Sequence, residues 1–192
     1  MKLILTLICA AGLISCSGYE QVATKTMEGP AGGAGAAAPD PEVASIEHEI
    51  LVGINAYRGS IGKGDMKRHR GLDELARQHS EFMMLNAGKF NVEGKRISHY
   101  GFGARAAQAR NVHNMGSLAE NVIAGWGLEG SMSDYFIQGW IDSPNHLHNI
   151  KGGWGHTGIG VAIGPDGAVY GTQLFGLKNV SHHEKFGLPD TW

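Results

Sequence analysis

The chain has 192 residues, enough for one domain with a sizeable core and some tail. Its composition is globular, 42% hydrophobic and 18% charged, and its 30 glycines predict a loop-rich fold with tight turns. A net charge of -2, with ten histidines counted neutral, argues against nucleic acid as a partner, because such binding needs a basic face to neutralise phosphates.

Residues 1–15 read as an export signal. Lys2 supplies the positive start, and Leu3 to Ala11 is almost wholly apolar yet too short to span a bilayer, which takes about 20 residues. The segment ends Leu13-Ile14-Ser15-Cys16, which looks like a bacterial lipobox, with cleavage before Cys16 and diacylglycerol added to its thiol. The plainer alternative is a secretory signal with an incidental cysteine. The only other cysteine, Cys9, is lost with the signal, so Cys16 has no later partner and the folded part has no disulfide, thiolate nucleophile or zinc-thiolate site. A metal there would need nitrogen and oxygen ligands. Localisation follows: a lipid-anchored, extracytoplasmic protein of the bacterial envelope, partnered with the membrane through Cys16. Ser17 is not the aspartate that retains many Gram-negative lipoproteins in the inner membrane, so a Gram-negative host implies the outer membrane. Residues 16–41 carry a Gly/Ala/Pro run too poor in apolar surface to order itself, a tether between membrane and domain.

The domain is expected over 42–178. Asp40-Pro41-Glu42 is a helix start, a capping aspartate with proline at the first position. Val43, Ile46, Ile50, Ile54 and Tyr57 then form one buried stripe, and Gly59 stops the helix. Residues 60–70 hold Lys63, Lys67, Arg68, His69 and Arg70, either a lipid-headgroup patch or, the blander reading, a solvated loop. A second helix is expected from Gly71 to Asn86 with Leu72, Leu75, Ala76, His79, Phe82 and Met83 on one face. His79 reads as a core histidine that could still reach a cleft wall. Residues 89–117, which include His99, show little periodicity and predict a long irregular segment of functional or mobile type.

A short helix is expected over 116–126, with Ser117 and Glu120 at capping-box spacing. That reading competes with one in which Glu120 points into a cleft. The next helix, from Glu129 to Asp142, sets Met132, Tyr135, Phe136 and Trp140 on one side. Ser143-Pro144 starts another turn, in which His146 and Asn149 face together while His148 points elsewhere. Two strands follow, 157–163 and 168–175, joined by a hairpin at Gly164-Pro165-Asp166-Gly167. Glycines alternating with Ile159, Val161 and Ile163 leave one strand face bare for close packing. The tail, 179–192, is polar, and its His182-His183 pair is too isolated to be a metal site.

Seven segments, in order, resemble the CAP superfamily: cysteine-rich secretory proteins, antigen 5 and plant pathogenesis-related proteins. The likeness is greater to bacterial single-domain members. The segments are Asn55-Ala56-Tyr57-Arg58, Leu72 to Met83, Ser98-His99 with Gly101-Phe102, Ala119-Glu120-Asn121, Trp140 to Ile150, Gly158-Ile159-Gly160-Val161, and Tyr170 to Gly176. The resemblance implies an α+β fold, an α-β-α sandwich with a central antiparallel sheet between helical layers. It also implies an open cleft with His99, Glu120 and His146, and Asn121 bracing local backbone. Two departures thin the site. Ser143 stands where animal and plant members often have a glutamate, and Tyr170 where they have a histidine. Leu147 replaces the usual arginine after the second histidine.

Two neutral imidazoles and a carboxylate suit Zn2+ with a water in the open position, the basis of a metal-dependent hydrolase. The same cleft, walled by Tyr100, Phe102, Asn121, Trp126 and Asn149, suits a small apolar or peptide ligand without turnover. A third reading is a non-catalytic scaffold for an envelope protein. With no motif of definite catalytic mechanism, binding is the favoured reading, and Phe136 and Trp140 are expected in the core.

Overall fold

A computed structural model gives the structure, and it describes residues 39–87 and 99–179. The export signal, Cys16, most of the tether, and the tail with His182 and His183 lie outside the described residues. Helix α1 spans Pro41–Ser60, β1 Lys67–Arg68, α2 Arg70–Leu85, α3 Phe102–His113, β2 Met115–Gly125, α4 Met132–Ile141, α5 Pro144–Ile150, β3 His156–Ile163 and β4 Val169–Lys178.

The four strands form one sheet in the order β1-β3-β4-β2. The β2–β4 and β3–β4 pairs are antiparallel, as expected. The sheet is nonetheless mixed, because β1 joins the β3 edge in parallel over two residues, Lys67 opposite His156 and Arg68 opposite Thr157. Side chains alternate between faces along each strand. On one face Ile159, Val161, Val169 and Phe175 meet Ile46, Ile50 and Ile54 of α1, Phe136 and Trp140 of α4 and Ile150 of α5. On the other, Leu174 and Met115 meet Leu72, Leu75 and Ala76 of α2 and Ala109 of α3. Two helical layers thus enclose the sheet, the α+β sandwich expected.

The α1 stripe is buried where the spacing predicts, and Asp40 caps the helix by accepting from the Glu42 amide. The bare strand face has the close neighbour expected of it. A Cβ on Gly158 would meet the backbone of Leu72 and Asp73, and one on Gly160 that of Ala76 and Arg77. Helix α2 therefore lies on the sheet at backbone distance, with Ser80 Oγ donating to the Gly160 carbonyl at 2.8 Å. His79 is buried in α2 and stacks on Phe82.

Four expectations need correction. Residues 115–125 are a strand rather than a helix. Leu118, Glu120, Val122 and Ala124 face one helical layer while Ala119, Asn121 and Ile123 face the other. With both faces covered, the polar alternation that marks a half-exposed strand is missing. Residues 102–113, read as irregular, form α3, which buries only Ala109 and so shows no apolar stripe. Helix α4 begins at Met132, where the Ser131 side chain accepts from the Asp134 amide, not at Glu129. The loop at 60–70 is not merely solvated. Arg68 donates to Asp73 and Glu47, each at 2.8 Å, and Arg77 also pairs with the fully buried Glu47, at 2.7 and 2.6 Å. This cluster fastens α1 to α2 at the β1–β3 side of the sheet.

Candidate functional site

Strand β2 is the other edge of the sheet, and the site is built around it. Because neighbouring residues of a strand point to opposite faces, Glu120 turns toward α3 and Asn121 toward α5. Helix α3 brings Arg105 against Glu120. Its Nε donates to Oε2 at 2.8 Å and its Nη2 to Oε1 at 2.8 Å, a two-pronged pair. A third donor, Nη1, bonds the Tyr100 carbonyl at 2.8 Å, so the same guanidinium fixes the loop carrying His99. His99 Nδ1 lies 2.9 Å from Glu120 Oε1. The Glu120 carboxylate, already accepting from Arg105, is the acceptor here too, so the proton in this contact is carried by Nδ1, and Nε2 is the ring nitrogen turned away from Glu120. The Glu120 side chain is 2% exposed and that of Arg105 12%, whereas His99 is 55% exposed and is the reachable end of the chain of contacts. Burial lowers the proton affinity of Arg105, and the pairing with Glu120 opposes that.

From the other side, α5 contributes Asn149 and His146. Asn149 Nδ2 donates to the Glu120 carbonyl at 3.2 Å and to Asn121 Oδ1 at 2.9 Å, and Asn121 Nδ2 donates to the His146 carbonyl at 3.1 Å. Asn121 is fully buried and braces backbone, the part the resemblance implies for it. The far end of α5 is pinned by Arg58, whose Nη1 donates to the carbonyls of Ile150 at 2.6 Å and Gly152 at 2.9 Å. This gives the Asn55–Arg58 segment its purpose, since Asn55 also pairs both ways with the Met66 backbone at 3.0 Å. His146 Nδ1 is buried without a partner. Burial, and then the nearby charge of His99, pushes the His146 imidazole below its ordinary proton affinity, so it is neutral at neutral pH.

The resulting cleft holds about 270 Å³ and is lined by His99, Phe102, Leu118, Ala119, Glu120 and Asn149. Of the residues expected there, His99, Phe102, Glu120 and Asn149 line it. Asn121 stands behind it. Tyr100 is stacked on Phe82 at 5.5 Å, and Trp126, 44% exposed, lies beyond the end of β2; neither lines this cleft. His146 is not a lining residue either. Phe136 and Trp140 are in the core as expected. Arg105 escaped the sequence reading altogether. Its one signal is a lone arginine in the alanine-rich run 104–109, of good helix propensity.

The donor set does not fit a catalytic zinc ion, which takes three protein ligands and leaves one position open. Both Glu120 oxygens are held by Arg105, leaving two imidazoles. Among the described residues no group of three or more His, Cys, Asp or Glu side chains has its donors gathered for a metal.

No family model and no curated protein matches the sequence. Solved structures are similar in fold. One is an outer surface protein from Borrelia burgdorferi, at TM-score 0.57 and 14% identity, with 74% of this chain and 97% of that chain covered. Another is an extracellular protein containing a SCP domain from Bacillus anthracis str. Ames, at TM-score 0.54 and 19% identity, with 73% of this chain covered. The match spans only 45% of that Bacillus chain. At these identities the likeness establishes the fold.

Proposed function

Because the chain has the fold of SCP-domain, or CAP, proteins, we propose that it binds a ligand outside the cytoplasm, in the β2-edge cleft, and does not turn it over. The observation that carries this reading is the engagement of Glu120. Its two oxygens accept from Arg105 and one also faces His99. Acting as a general base or a metal ligand would pull a buried carboxylate from the cation that compensates its burial.

The cleft offers a floor of Phe102, Leu118 and Ala119 and a polar end of His99 and Asn149. At about 270 Å³ it is below the roughly 300–1,000 Å³ of sites that enclose a whole small molecule. It suits one end of a longer ligand, a lipid or a peptide, with a short apolar group on the floor and a hydrogen-bonding group at His99 Nε2. The lipid on Cys16 would hold this domain at the bacterial envelope membrane. In support, two of the similar structures are of an outer surface protein and an extracellular protein.

Extraction and mass spectrometry of the full chain purified from membranes test the reading. Parent protein should release one lipid or peptide per chain, and the Phe102→Ala/His99→Ala variant should release little. Equal yield from both would move the ligand elsewhere. A parent that carries nothing and takes up neither envelope lipids nor peptides would leave the scaffold reading. Cys16→Ser should accumulate as unprocessed precursor, and normal maturation would remove the lipid anchor from the account.

A further inference from the structure

A basic set of side chains stands apart from the cleft, at the far end of α3. Phe102, which lines the cleft, and His113 are the first and last residues of that helix, roughly 16 Å apart along its axis. Sheet register assembles the set. Lys67 of β1 lies opposite His156 of β3, and His156 lies opposite Gly176 of β4. Residues opposite one another share a face, and Lys178 is two positions on from Gly176, so Lys67, His156 and Lys178 stand on one face of the sheet. It is the face that carries α2, because Gly158, two residues past His156, meets the backbone of that helix. His69, whose amide donates to the Thr157 carbonyl at 2.8 Å, adds a ring with its centroid 5.8 Å from that of His156. The His113 ring packs over Gly71 and closes the other side of His69, at 5.4 Å.

The set offers donors and no acid. Among the described residues neither Lys67 nor Lys178, both exposed, has an ion-pair partner. The carboxylates in the first turns of α2, Asp73 and Glu74, are taken by Arg68 and Arg70. The charged groups acting on the His69 ring are His113, Lys178 and His156, and those acting on His156 are Lys178 and Lys67. All of them are basic. The Nδ1 atoms of His69 and His156 are buried without a partner, while their Nε2 atoms reach solvent. A ring N–H buried with no acceptor is the costly arrangement, so the proton of each neutral ring belongs on Nε2, where water or a ligand can accept it.

We propose that Lys67, His69, His156 and Lys178 bind a phosphate group, free or carried on a lipid headgroup. Two ammonium groups and two imidazole N–H groups suit an anion with several oxygens, because hydrogen bonds between charged partners are the strong ones. Like charges side by side on a sheet repel, and a bound anion reverses that cost. The set is too small to follow a nucleic-acid backbone, in keeping with a net charge of -2. His113 contributes its charge and its packing against His69 rather than a bond to the anion. The site is separate from the cleft and does not rest on the reading given to the cleft.

The test uses the full chain in neutral detergent at constant ionic strength, titrated by calorimetry with inorganic phosphate and, separately, with a short-chain phosphatidic acid. One phosphate per chain should bind. Lys67→Gln/Lys178→Gln, which changes only exposed side chains, should weaken it by about tenfold or more. Phe102→Ala/His99→Ala should leave it unchanged. Phosphatidic acid bound more tightly than inorganic phosphate, and displaced by it, identifies a headgroup as the source; phosphate bound as tightly as the lipid identifies a free anion. Sulfate, which stays doubly charged, isolates the histidines. Its binding should tighten from pH 7.5 to pH 6 in the parent, as His69 and His156 take up protons, and should stay level in His69→Gln/His156→Gln. The proposal is overturned if the parent binds no inorganic phosphate, if the lysine variant binds it as the parent does, or if sulfate binding by the parent does not tighten as the pH falls.

Discussion

Replacing Arg105 by Met tests how the cleft is held. The variant keeps much of the stem's bulk and removes the cation from a carboxylate whose side chain is 2% exposed. With charge centres about 4 Å apart and an effective dielectric near 20, the pair is worth about 4 kcal/mol, and solvent screening discounts little at this burial. Breaking a buried pair typically costs about 3–5 kcal/mol. His99 stays beside Glu120 and offsets part of the loss, so we expect about 3 kcal/mol. In urea, with a slope of about 2 kcal/mol per molar, the unfolding midpoint should fall by about 1.5 M. Adding Glu120→Leu should restore most of that, because no unpaired charge is left buried. A single variant within about 1 kcal/mol of parent, or a double variant less stable than the single, would refute the reasoning.

Three further outcomes are expected. Arg58→Met strips a cationic donor from three carbonyls, those of Gly64, Ile150 and Gly152. It should cost about 3–4 kcal/mol and speed amide exchange in α5; unchanged exchange there would dissociate Arg58 from the cleft. Gly160→Ala meets backbone of α2 that cannot give way. It should cost at least about 3 kcal/mol or abolish cooperative unfolding, and a near-neutral melt would contradict the close packing. Stability should depend on pH through His69, His146 and His156, each lowered first by burial and then by neighbouring histidines or lysines. Below the ordinary value near 6.5 the unfolded chain binds more protons than the folded one, so this stability is full above about pH 6.5 and is lost as pH falls through the window beneath it. Urea midpoints at pH 7.5, 6 and 5 should step downward, and a level series would contradict the burial of these rings.

What the sequence made legible follows from where side chains meet solvent. The α1 stripe, the Asp40 cap, the hairpin and the glycine-faced strand each carry a local pattern with one physical reading. Helix α3 buries little, and β2 is covered on both faces, so each lacks the contrast that periodicity needs. The same loss hid the logic of the site. A strand, not a helix, sends Glu120 and Asn121 to opposite layers, and that divergence lets α3 and α5 both reach the edge of β2. The motif resemblance supplied His99, Glu120, Asn121 and His146. It did not supply Arg105, which comes from the helix that periodicity missed and which alters what Glu120 can do.

The central claim is that the cleft holds its ligand intact, and the most direct measurement is the fate of that ligand. The molecule extracted from the parent protein is returned to fresh full-length chain, incubated with added Zn2+, and followed by mass spectrometry against the His99→Ala variant. The account predicts recovery of the same mass from both proteins, retained by the parent and washed from the variant. Conversion to a new product by the parent, absent with the variant, would contradict it.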